Sequence, residues 1–192
     1  MSYIDYRNHY RDCNREEFMQ KFFSIDMPYK KAQAYAIGRG MEQKILTMDD
    51  LLTIHQLCVL EEMDAKDFLC GLPQNWFKKE DDEGCAAEDA HALTADFVQE
   101  CNAFGRNNPL FYGAYLIGSF CDIAPFEQEN AVTAFTLCNF YLTSRGMPPI
   151  ALCDVEKIRL AASEYCEQET LSPLKNTLGD FAAATQLQLN KS

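Results

Sequence analysis

The apolar positions of the chain recur mostly at helical spacing, and caps and stops punctuate them at intervals suited to a helical bundle. Asp26 to Pro28 offers a start for a helix running through Lys30 and Lys31 toward Gly38 or Gly40. Thr47 followed by Asp50 has the spacing of a capping box, so a helix is predicted from Leu51 to about Met63. Residues 67–84 break this pattern with Gly71, Pro73, Asn75 and the acidic run Glu80 to Glu83, which predicts a loop or short β-hairpin. Helical periodicity returns near Glu88 and ends at Gly105, and Asn108-Pro109 reads as an N-cap followed by a proline at the first helical position. Between Pro109 and Phe126 the only charged residue is Asp122, and between Ala131 and Ser144 there is none. Helices that are apolar nearly all round are buried, so these two are predicted to form a central pair. Gly146, Pro148 and Pro149 stop the second, while Asp154 and Ser172-Pro173 open two further helices. The fold class is therefore all-α, a bundle of about seven helices around a buried central pair, with one irregular flap.

Composition narrows what such a bundle can do. With 192 residues, 47% of them hydrophobic, the chain suits a single domain over residues 1–192. The formal net charge of -12 repels phosphate backbones and anionic lipid surfaces, which argues against nucleic-acid and membrane partners. The first residues, MSYIDYRNHYRDCNREEF, carry charge throughout and lack the apolar stretch of a signal peptide. Uncharged runs elsewhere fall short of the roughly 20 residues a bilayer span needs. Nine cysteines, an odd number with no C-x-x-C pair, read as reduced and mostly buried thiols rather than as disulfides, a zinc site or a nucleophile. A cytoplasmic protein is expected.

Chemistry is best sought between the two apolar helices, where Ala124-Pro125-Phe126-Glu127-Gln128-Glu129-Asn130 leads into a helix N-terminus. Backbone donors and the positive end of the helix dipole converge at such a place, making it an anion site. The plainer reading is a tight interhelical turn with Asn130 as N-cap and with Glu127 and Glu129 complementing the dipole.

These residues resemble a known signature. Ala124 to Val132, APFEQENAV, is similar to the H-P-F-x-x-G-N-G-R motif of the Fic/Doc (filamentation-induced-by-cAMP) family. The following Asn139 to Ile150 looks like that family's post-motif helix and its Gly-x-Pro-Pro-Ile exit, and Leu46 to His55 is similar to its early helix. The resemblance spans roughly residues 47–174. It implies a Fic-like helical bundle with a short β-hairpin flap. It also implies a family activity, transfer of AMP or another phosphate-containing group from a magnesium-bound nucleotide to a protein hydroxyl, with Doc relatives phosphorylating instead.

Carried over by position, the family's histidine base falls on Ala124, the metal-holding acid on Gln128, the glycines on Glu129 and Ala131, the arginine on Val132 and a second arginine on Phe135. Only Pro125, Phe126 and Asn130 match. A general base contributes about 10²–10⁴ in rate and a preorganised donor about 10²–10³, so losing these groups together removes most of a rate enhancement. The expectation is a degenerate Fic-like protein with no catalytic residue, no metal and no cofactor, which acts by binding a protein partner; homo- and hetero-oligomers both stay open. A carboxylate at Glu129 is expected to repel phosphate and to cap its own helix. The alternative is a transferase of altered, non-histidine chemistry using Glu127 and a weakly held Mg-nucleotide. His55 is assigned to packing, and His9 and His91 to solvent. By resemblance the flap aligns the target of the family, so Trp76 and Phe77 are candidate partner anchors, with folding back over the core the competing reading. Ser163 to Glu167 comes near the family's inhibitory motif but is followed by Gln168.

Overall fold

The computed structural model describes residues 3–42, 45–62 and 87–191. The flap expected over residues 67–84, with Trp76 and Phe77, lies outside them. The described residues form helices and no extended strand: α1 (Tyr3–Asp12), α2 (Arg15–Ser24), α3 (Lys30–Glu42), α4 (Met48–Glu62), α5 (Ala87–Ala103), α6 (Pro109–Ile123), α7 (Asn130–Ser144), α8 (Val155–Gln168) and α9 (Ser172–Leu189). These are nine helices among the described residues, against about seven expected from the sequence. The fold is all-α.

α6 and α7 are the central pair. α7 is enclosed almost completely, buried from Val132 to Ser144 by α3, α4, α6 and α8. α6 buries Gly113, Ala114, Leu116, Ile117, Gly118 and Phe120 and leaves one rim to solvent. An uncharged helix can be enclosed in this way because its backbone bonds itself and its side chains ask nothing of water. At the amino end, Tyr3, Tyr6 and Tyr10 line one face of α1 and Phe18, Met19 and Phe22 one face of α2. Both helices pack on α9.

The local signals act as their chemistry requires. Thr47 Oγ1 accepts from Asp50 N (3.1 Å) while Thr47 N donates to Asp50 Oδ2 (3.2 Å), the expected capping box. Asp154 caps α8 by accepting from Lys157 N (3.0 Å). Gly146, at φ +70°, ends α7 in a Schellman motif, with Met147 N bonded to Leu142 O (2.8 Å) and Gly146 N to Thr143 O (3.0 Å).

Two expectations need correction. Asn108 precedes α6 but makes no side-chain cap bond, so proline at the first position alone marks that start. α3 begins at Lys30 rather than Pro28, because Tyr29 takes a left-handed conformation (φ 56°), and it runs past both Gly38 and Gly40. Gly40 is a crossing point, not a stop. A Cβ there would meet Thr143 Oγ1 and come within 2.6 Å of the Phe140 carbonyl oxygen, so only glycine lets α3 and α7 approach this closely.

The stretch after α7 is held by side chains instead of by secondary structure. Asn139 donates to Ile150 O (2.8 Å) and accepts from Ile150 N (2.8 Å), Tyr6 donates to Pro149 O (2.6 Å), and Ala151 N donates to Thr185 Oγ1 (3.0 Å). Asn139 also donates to Gln33 Oε1 (2.6 Å), and Gln33 Nε2 donates to Thr136 Oγ1 (2.9 Å). This buried network ties α3, α7 and the exit segment together with its polar atoms paired.

Candidate functional site

The loop joining α6 to α7 is built on two left-handed residues, Ala124 (φ 41°) at the end of α6 and Glu129 (φ 58°) before α7. Between them Pro125 and Phe126 are buried, while Glu127 and Gln128 face solvent. Phe126 lies parallel to the His55 ring with centroids 3.6 Å apart, which pins the loop onto α4. Asn130 braces it from the other side. Its Oδ1 accepts from Phe126 N (3.1 Å) and its Nδ2 donates to Phe126 O (2.7 Å). Asn130 is thus the first residue of α7 and a clamp on the loop backbone, not the N-cap expected from its type.

Glu129 sits at the cap position but makes no cap bond. Its carboxylate, 12% exposed, turns away from its own helix and accepts from Arg159 Nη2 at 2.8 and 3.0 Å and from the Tyr29 hydroxyl at 3.1 Å. The expected self-capped turn is therefore replaced by a bridge from the loop to α8 and to the residue before α3. The reason is electrostatic: a guanidinium is a stronger donor to a carboxylate than a backbone amide. Arg159 also holds Glu156 at 2.7 Å. Burial disfavours its charge, but the two carboxylates outweigh that and raise its pKa.

The start of α7 belongs to the core. Val132, Phe135 and Thr133 are buried, and Thr133 Oγ1 lies 3.1 Å from His55 Nδ1. His55 is 2% exposed, and burial lowers its pKa from 6.5 to about 4, so it is neutral at pH 7. Its packing role agrees with the sequence reading. His9 and His91 are exposed. Among the described residues no group of three or more His, Cys, Asp or Glu is placed to hold a metal ion. Seven cysteines fall in the described residues, all free: Cys58, Cys101 and Cys138 are buried, Cys13 and Cys121 partly so, and Cys153 and Cys166 exposed.

The loop thus places a left-handed residue before a helix N-terminus, and the carboxylate of that residue is bonded to Arg159 and Tyr29. No protein-family model matches the chain, and no curated protein does. Solved structures do match. The crystal structure of a Fic domain-containing signalling protein from Bacteroides thetaiotaomicron is similar at a TM-score of 0.54, with 16% sequence identity over 85% of this chain and 71% of that one. The fold is Fic-like.

The sequence placed the loop correctly between the buried helices and missed its partners. Arg159 is 30 residues from Glu129 and Tyr29 is 100 residues from it, and neither belongs to a local pattern that could have drawn attention. Ser163 and Glu167, near the inhibitory-motif spacing, are exposed on α8, with Ser163 Oγ 3.5 Å from Glu167 Oε1. No helix among the described residues is long and apolar enough to cross a membrane.

Proposed function

We propose that this is a Fic-like protein without AMP-transferase activity, acting as a regulatory, protein-binding pseudoenzyme in the cytoplasm. The observation that carries this reading is the Glu129 bridge. A carboxylate held by Arg159 and Tyr29 stands where the resemblance expects glycine and a nucleotide phosphate, and negative charge there opposes phosphate. The residues present do not fit a magnesium-bound nucleotide. Ala124 offers no proton acceptor, Gln128 no anionic oxygen for a metal, and the Val132 and Phe135 side chains belong to the core.

The altered-chemistry alternative rests on Glu127, the carboxylate of the loop that faces solvent. Incubating the protein with labelled ATP, UTP or CTP, magnesium and a lysate separates the two. The pseudoenzyme reading expects no label transferred to protein. Label that appears with the wild type and vanishes in Glu127→Ala would establish the alternative.

A further inference from the structure

α5 and α6 lie side by side and leave a groove of about 400 Å³ between them, lined by Leu93, Asp96, Phe97 and Glu100 of α5 and by Tyr115, Ser119, Asp122 and Ile123 of α6. Its two sides have different character. Phe97 and Ile123 form an apolar floor, and Leu93, 46% exposed, projects at the edge. The adjoining Phe111, 38% exposed, stacks on Tyr115 and extends the apolar strip along α6. Asp96, Glu100 and Asp122 are exposed around it. Neither α5 nor α6 contains a lysine or an arginine. Among the described residues no cation pairs with any of these three carboxylates; Glu100 is met only by the neutral Tyr115 hydroxyl at 3.0 Å.

An apolar strip rimmed by unpaired charge of one sign is complementary to a segment bearing the same apolar spacing and the opposite charge. The lining residues recur at three- and four-residue intervals on both helices, the ridge spacing into which a third helix packs. From Leu93 to Glu100 the groove runs about 10 Å, roughly two helical turns. We infer that the α5–α6 groove docks a basic amphipathic helix of a partner protein, with leucine-like side chains on Phe97, Leu93 and Ile123 and lysines or arginines against Asp96, Glu100 and Asp122. Anionic lipid and nucleic acid are excluded by the same carboxylates. The inference deepens the protein-binding reading by giving the partner a place and a chemistry.

The test uses the full chain and a labelled synthetic peptide of about 18 residues, lysine-rich with leucines on one helical face, followed by fluorescence anisotropy. The control peptide has the same composition with leucines scattered around the helix. Three variants are compared: Asp96→Lys/Glu100→Lys/Asp122→Lys in the groove, Asp12→Lys/Glu16→Lys/Glu169→Lys elsewhere on the surface, and Leu93→Ser. The second makes the same change in net charge as the first, and circular dichroism checks that each is folded. Docking predicts that the amphipathic peptide binds better than its control, that groove reversal weakens it about tenfold or more, that remote reversal weakens it less than about threefold, and that Leu93→Ser weakens it about threefold or more. Equal loss from the two reversals, equal binding of both peptides, or no binding at all would overturn it. None of these outcomes bears on whether the α6–α7 loop takes a nucleotide, which is measured separately.

Discussion

α7 carries two polar clusters of opposite character, one in its middle and one at its amino end. In the middle, Gln33, Thr136, Asn139 and the Ile150 backbone are buried, uncharged and paired with one another. At the amino end, Glu129 and Arg159 form an ion pair joined by the neutral, buried Tyr29 hydroxyl, and the pair reaches solvent through the Arg159 side chain, which is 38% exposed. A neutral network in a dry setting is costly to interrupt, because each orphaned group loses its partner and cannot find water. An ion pair at the rim contributes about 0–1 kcal/mol. The comparison teaches that the scaffold is secured by the central cluster, whereas the outer bridge ties the loop to α8 at the rim and adds little to stability.

The sharpest way to break that comparison is at Asn139. Asn139→Ala strands the Ile150 N–H and C=O and frees Gln33 Oε1 inside the core, for a loss on the order of 4 kcal/mol in urea unfolding. A loss under about 1 kcal/mol would show that the exit segment does not depend on it.

His55 sharpens the inner side of the junction. Its folded pKa of about 4 lies below the 6.5 of the exposed side chain, so below pH 6.5 the unfolded chain binds the proton that the folded chain refuses. Its neutral form therefore supports the fold fully above pH 6.5, and that support falls as pH drops toward 4, by on the order of 3 kcal/mol in total. Unfolding curves at pH 7 and pH 4.5 should show a smaller drop for His55→Asn than for the wild type. Parallel drops would contradict the assignment.

Gly40→Ala pushes a methyl group into Thr143 and the Phe140 carbonyl and should cost about 1–3 kcal/mol, read as a lowered Tm. Glu129→Gly is the mildest. It relieves a left-handed non-glycine backbone and removes a rim ion pair, so stability should change by less than about 1 kcal/mol.

Much of the scaffold was legible because its signals are local. Thr47 with Asp50, Asp154 with Lys157 and Gly146 before Pro148 act within one turn, and the uncharged stretch 131–144 announces its own burial. Where the signal was ambiguous the structure decided by tertiary contact. Gly40 looks like a helix stop and is a helix crossing, and Asn130 looks like a cap and is a clamp, because its side chain finds the Phe126 backbone first. The candidate site was legible in place but not in chemistry. That Glu129 would leave its own helix for Arg159 depends on how α8 folds back beside the loop, and nothing near either residue in the sequence reports it.

The most direct measurement is isothermal titration of the wild-type protein with ATP and magnesium. The Glu129 bridge at the loop leads us to expect no saturable binding with a Kd below about 100 µM. Tighter binding, weakened by Asn130→Ala, would contradict it and place a nucleotide at the α6–α7 junction.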